Sequence, residues 1–197
     1  MDPLVLAAQL TIRQFHPYDR VYYGEDKYRS GKRFYLSGVH ACYRRLNSKW
    51  GFKIFTSEKQ RDGNYETHMI LLKEGLGPKM GLKFNATTKN KQKVYGFITE
   101  HCPKVFREAI QEGLLSYQKA SRFREIVNSK YPRIDDIHNG NCAMLSDGRM
   151  VVIDVSFNYV ENGEVKENYD DFNEKAGRWY GNGSSHKLEE LISSGLT

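Results

Sequence analysis

Within DDIHNGNCAMLSDGRMVVIDVS, residues 135–156, Asp136 and Asn141 stand five positions apart in a glycine-containing loop. Asp154 ends a branched apolar run thirteen residues further on. A carboxylate can orient an attacking hydroxyl, while an amide and a second carboxylate can hold Mg²⁺ against a triphosphate. Phosphoryl transfer needs these three groups, because positioning and charge stabilisation supply nearly all of its catalysis. Asp, Asn and Gly are also ordinary turn residues, so a solvated turn joining two strands is the bland alternative.

The elements around these residues follow from pattern. KRFYLSGVHACYRRL and KWGFKIF have the aromatic and branched content of strands, with the turn NS between them. NYETHMILLKEGLGPKM places Tyr65, Met69 and Leu72 on one helical face and ends in Gly75, Gly77 and Pro78, a helix stop. MGLKFNATTKNKQKVYGFITEHC reads as a second hairpin. From Cys102 to Tyr131 the period becomes helical, with Phe106, Ile110 and Leu114, then Phe123, Ile126 and Val127. CAML and MVVID then form two short strands joined by SDG, and SSHKLEELISSG reads as a closing helix. Strands precede helices, which predicts an α+β chain in two lobes.

At this point the sequence resembles the protein-kinase-like superfamily, whose catalytic loop is H-R-D-x-x-x-x-N and whose metal-binding strand end is D-F-G. D-I-H-N-G-N is similar to the D-x-H-x-x-N form of aminoglycoside and related atypical kinases. The segment is also similar in texture to the early serine/threonine kinases of certain bacteriophages. The resemblance implies a two-lobed kinase-like fold: an antiparallel-sheet N-lobe with one helix over residues 33–100, and a reduced, mostly helical C-lobe over 101–197. Residues 1–32 would be an N-terminal extension.

It further implies Asp136 as the catalytic base, Asn141 and Asp154 as Mg²⁺ ligands, and His138 at the γ-phosphate. Lys53, in the strand pattern GFKIF, would grip the phosphates of ATP. Glu66, thirteen residues later on the predicted helix, would pair with it. Gly38 is the single glycine kept from the phosphate-covering loop, and Glu100 to Cys102 would form the hinge facing adenine. DVS stands where D-F-G is expected, no A-P-E follows, and 43 residues remain after Asp154. The implied activity is ATP- and Mg-dependent phosphorylation of a hydroxyl, most simply Ser or Thr of a protein, a host protein if the chain is phage-encoded.

Composition bounds the alternatives. Residues 1–100 hold 18 Lys and Arg against 9 acids, whereas 101–197 hold 12 against 15. A basic first half suits a triphosphate or nucleic acid equally, and charge does not choose between them. A nucleic-acid module would use Tyr22, Tyr23, Tyr28 and Trp50 as stacking residues. A third class is a kinase-fold protein with little or no catalysis that acts by binding a partner, such as a host enzyme. No apolar run reaches the roughly 18 residues of a membrane span, and the N-terminus lacks signal-peptide character, so no membrane partner is expected. Cys42, Cys102 and Cys142 are far apart, which predicts a reducing, cytoplasmic setting, the host cytoplasm for a phage protein. Although His40/Cys42, His101/Cys102 and His138/Cys142 are close in sequence, none has the C-x₂₋₄-C or H-x₃₋₅-H spacing of structural zinc.

Overall fold

The structure is a computed structural model that describes residues 1–14, 35–37, 41–55, 57–89, 91, 93–134, 136–155, 159–161 and 164–166, those of 35–37, 159–161 and 164–166 by backbone alone. The chain divides into Met1–Glu167 and Asn168–Thr197. The second unit, and with it the expected closing helix, lies outside the described residues.

Helix α1, Pro3–Gln14, starts the chain. Asp2 Oδ1 accepts the Leu4 and Val5 N–H groups at 2.8 and 3.2 Å, and Pro3 fits the first turn, where no intrahelical donor is needed. Val5, Ala8 and Ile12 face inward. The opening therefore contributes to the first core, a role that its Tyr- and charge-rich continuation obscured in the sequence.

Strands β1 (Tyr35–Ser37), β2 (Cys42–Arg45), β3 (Trp50–Phe55), β4 (Met80–Thr87) and β5 (Lys93–Glu100) form one antiparallel sheet in the order β1-β2-β3-β5-β4. Side chains alternate across its faces. Cys42, Phe52, Ile54, Phe84, Val94 and Ile98 pack with α1 on one face. Lys53 pairs across strands with Tyr43 and Phe97 and belongs to the opposite face.

That second face is covered by α2, Glu58–Lys73, inserted between β3 and β4. Phe97, fully buried, meets Tyr65 and His68 of this helix edge-on at centroid distances of 5.5 and 6.2 Å. The helix begins six residues before the predicted apolar stretch, and its buried residues are Arg61, Gly63, Asn64, Thr67, His68 and Leu71, not the expected Tyr65, Met69 and Leu72. A polar inner face defeats a hydrophobic-period reading. Arg61 is tolerated there because it donates to Glu58, Asp62 and Asn85 at 2.8–3.0 Å. The predicted stop is observed: Gly75 has φ +72°, and Leu76 N–H returns to the Leu71 carbonyl at 2.8 Å.

A second core follows. It joins Leu71 to Phe106 and Ala109 of α3 (Phe106–Gln111), Ala120, Phe123 and Val127 of α4 (Tyr117–Lys130), and Cys142, Val152 and Val155. Leu114 and Ile126, expected inside, are about half exposed. Strands β6 (Lys104–Val105), β7 (Cys142–Met144) and β8 (Met150–Val152) make a three-stranded sheet in sequence order. Gly148, at φ +83°, closes the β7–β8 turn at the predicted SDG. Strands β9 (Tyr159–Glu161) and β10 (Glu164–Lys166) form a short hairpin, with β9 beside α2. The described fold is α+β, and among the described residues no helix is long and apolar enough to cross a membrane.

Candidate functional site

The β7–β8 register determines where the chemistry-bearing residues go. Cys142 pairs with Val152, so Asn141, just before β7, lies opposite the segment just after β8. The Asn141 carbonyl accepts the Ile153 N–H at 2.8 Å and the Asp154 N–H at 3.4 Å. Two residues thirteen apart in sequence are thereby fixed side by side.

The loop leading into β7 is tied to the same point. Asn141 Nδ2 donates to the Asp136 carbonyl at 3.0 Å and to its Oδ2 at 2.9 Å. Asp136 has φ +65°, a left-handed conformation that Asp tolerates better than most side chains and that is concentrated at functional loops. His138 Nδ1 accepts the Gly140 N–H at 2.9 Å, so the ring proton resides on Nε2, which faces Asp136 Oδ1 at 3.2 Å. Asp136 and His138 are both about half exposed. The carboxylate is therefore held by an amide and an imidazole and remains open to solvent.

Gly140 is required for this arrangement, because a Cβ there would lie 2.7 Å from His138 Cε1 and 3.0 Å from Nδ1. Gly140→Ala is expected to push the imidazole off its loop and loosen the contact with Asp136, while changing stability by less than about 1 kcal/mol. Imidazole NMR signals of His138 that stay in place in this variant would contradict the expectation.

Lys53 reaches the same cluster from the sheet. Its side chain is 9% exposed, and Nζ donates to the Ile153 carbonyl at 2.6 Å and to Asp154 Oδ1 at 3.1 Å. Burial by itself would raise the Asp154 carboxyl, but the Lys53 ammonium outweighs it and holds the group below the ordinary carboxylate range. Asp154 is thus ionised, with 41% of its side chain exposed.

Glu66 is not brought to Lys53: it is exposed on α2, and the lysine's ion pair is made with Asp154. On the buried face of that helix stands His68, 1% exposed, whose Nδ1 is buried without a hydrogen-bond partner among the described residues. The sequence reading missed it. Its signal is the spacing Asn64, His68, Leu71, one inner face whose first two members are polar.

Burial pushes the His68 imidazole down to about 3, with Lys53 reinforcing and Asp154 opposing the shift. An unfolded histidine titrates near 6.5. Between roughly pH 6.5 and 3 the unfolded chain binds a proton that the folded chain refuses, so stability is full above that window and declines as pH falls through it. The decline should be on the order of 3 kcal/mol by pH 4. Denaturant melts should show it in the native chain and a shallower decline in His68→Leu; identical pH profiles would contradict the assignment.

The end of β5 supplies the remaining group. Glu100 is engaged by its side chain, which accepts from Arg149 Nη2 at 3.2 and 3.3 Å and from the Lys79 N–H at 3.0 Å. Cys102 Sγ points back to the Glu100 carbonyl at 3.8 Å and packs beside Ala143, Leu145, Val151 and Ile153. Desolvation, with Glu100 nearby, pushes its thiol up to about 12, so it is a small apolar wall rather than a nucleophile. Between them, His101 Nδ1 meets the Tyr43 hydroxyl at 2.8 Å, with the two rings nearly parallel. Gly51 makes room for that hydroxyl, since a Cβ there would lie 2.3 Å from it.

Gly38, Tyr22, Tyr23, Tyr28 and Ser156 lie outside the described residues. Trp50 packs against the α1-side core instead of standing out as a stacking platform. Among the described residues no three His, Cys, Asp or Glu side chains converge on one point. Two oxygen donors that could hold a hard cation stand in this cluster. Asn141 spends its Nδ2 on Asp136, which leaves Oδ1 as an acceptor, and Asp154 is ionised and accessible; Mg²⁺ is commonly held by one or two such oxygens with phosphates and water.

No protein-family model matches the chain, and a search of curated proteins finds none that matches it.

Proposed function

We propose that the protein is a compact, atypical ATP- and Mg-dependent kinase that transfers the γ-phosphoryl group to a hydroxyl, most simply of Ser or Thr in a protein. The observation that carries this reading is the hydrogen-bonded chain Lys53, Asp154, Asn141, Asp136, His138, which gathers one cation, two carboxylates, an amide and an imidazole from a sheet strand and two loops. Asp136 would orient the acceptor hydroxyl, Asn141 and Asp154 would hold Mg²⁺, Lys53 would neutralise phosphate charge, and His138 would meet the γ-phosphate. Magnesium supplies Lewis-acid neutralisation of the triphosphate when bound. The order β1-β2-β3-β5-β4 with a helix between β3 and β4 supports a kinase-like N-lobe, and fully buried Val155, sharing a core with Leu71 of α2, takes the packing role of the missing Phe. The apolar group around Cys102, Leu145 and Ile153 suits the adenine face.

A second reading, partner binding with little catalysis, is favoured by one observation: Glu66 does not brace Lys53. Nucleotide binding is tested by thermal unfolding with ATP, with and without Mg²⁺. Saturation at about 100 times Kd should stabilise the fold by about 2.7 kcal/mol, several degrees in Tm for a chain of this size. An unmoved Tm at millimolar Mg·ATP would sink the proposal.

A further inference from the structure

Lys53 has one ion-pair partner among the described residues, Asp154, and the same carboxylate is the metal ligand of the proposed reaction. On the helix side stands His68, nearly fully buried against Phe97, the cross-strand neighbour of Lys53. An imidazole carries no negative charge in either protonation state, so it cannot serve as a second counter-ion. Glu66, which could, faces solvent. Asp154 therefore has to serve two cations that compete for it.

We infer that the Lys53–Asp154 pair is a latch that makes the divalent cation and the nucleotide triphosphate bind as one ligand. This inference rests on the nucleotide reading above and adds how that site is controlled. A cation arriving alone must draw Asp154 away and leave the Lys53 ammonium buried without a counter-ion. A triphosphate arriving alone must draw Lys53 away and bring its own charge beside a bare carboxylate. Arriving together, each supplies the partner that the other removes: Asp154 turns to the metal, Lys53 to phosphate. With His68 packed against Phe97, Asp154 stays the sole counter-ion of Lys53 among the described residues, whereas a carboxylate at position 68 would compete with Asp154 for the ammonium.

The test uses the full chain and two probes measured separately by calorimetry, Mn²⁺ alone and ATP in excess EDTA. Asp154→Asn releases Lys53 and should bind metal-free ATP at least tenfold tighter than the native chain. Lys53→Met releases Asp154 and should bind Mn²⁺ alone at least tenfold tighter. His68→Glu supplies a second counter-ion and should tighten Mn²⁺ while weakening metal-free ATP, whereas His68→Gln should match the native chain on both. The arms use different substitutions, so one misfolded variant leaves the other to decide. Affinities unchanged or weakened in both Asp154→Asn and Lys53→Met would overturn the latch. Absence of ATP binding from every form, even with Mg²⁺, would instead overturn the nucleotide reading, and the Mn²⁺ arm would still judge the competition for Asp154.

Discussion

Asp154→Ala and Lys53→Met should each lower Mg-dependent phosphoryl transfer by about 10³-fold or more, yet only the first should weaken the fold. The activity losses follow from the roles proposed above: one substitution removes the proposed metal ligand, the other the cation proposed to meet the triphosphate. Stability separates them because burial is unequal, with the Lys53 side chain 9% exposed and that of Asp154 41% exposed. Removing Asp154 strands an ammonium whose remaining hydrogen bond among the described residues is to the Ile153 carbonyl at 2.6 Å. Breaking a fully buried pair in this way costs about 3–5 kcal/mol, and the partial exposure here reduces the expectation to about 1–2 kcal/mol. Replacing Lys53 with Met keeps the apolar stem and leaves behind a carboxylate that water reaches, so stability should change by less than about 1 kcal/mol. Urea midpoints for the two variants decide the point; equal losses would mean that the pair is solvated from both sides.

Phe97→Ala should destabilise the fold by about 3–5 kcal/mol. Its ring is fully buried and touches Phe55 at 5.7 Å, Tyr65 at 5.5 Å and His68 at 6.2 Å, so truncation opens a cavity between the sheet and α2. A loss of that size is a large share of the 5–15 kcal/mol that holds a typical domain together. It should also wet His68 and make the acid destabilisation shallower, which links the packing to the site. Leu82→Ala, at a side chain 58% exposed, is the control and should stay within about 0.5 kcal/mol. Similar midpoints for the two variants would refute the assigned core.

The candidate-site segment was legible in the sequence because its geometry is local. A short hairpin with an SDG turn has few registers, and once Cys142 faces Val152 the neighbours Asn141 and Asp154 must meet. Lys53 was legible for a similar reason: in WGFKIF the alternation assigns Phe52 and Ile54 to one face and Lys53 to the other. The helix that packs on that face was found, but its orientation was not. Apolar period selects Tyr65, Met69 and Leu72, whereas tertiary packing buries Asn64, Thr67 and His68, and the error carried Glu66 toward Lys53 and His68 out of view. On that inner face Thr67 bonds the Gly63 carbonyl of its own helix and His68 packs edge-on against Phe97, so polar side chains stand where an apolar period would look for hydrophobic ones. Helix α1 went unread although Asp2, Pro3 and the spacing of Val5, Ala8 and Ile12 all signal it.

A Lys53–Asp154–Asn141–Asp136 cluster that moves a phosphoryl group, as proposed, must leave label on an acceptor. The most direct measurement is transfer of label from γ-labelled ATP to protein, in the full chain alone and with a cell extract, with Mg²⁺ or with EDTA. Label on protein should require Mg²⁺ and disappear in Asp154→Ala; transfer retained in that variant, or none from the native chain, would contradict the phosphoryl-transfer reading.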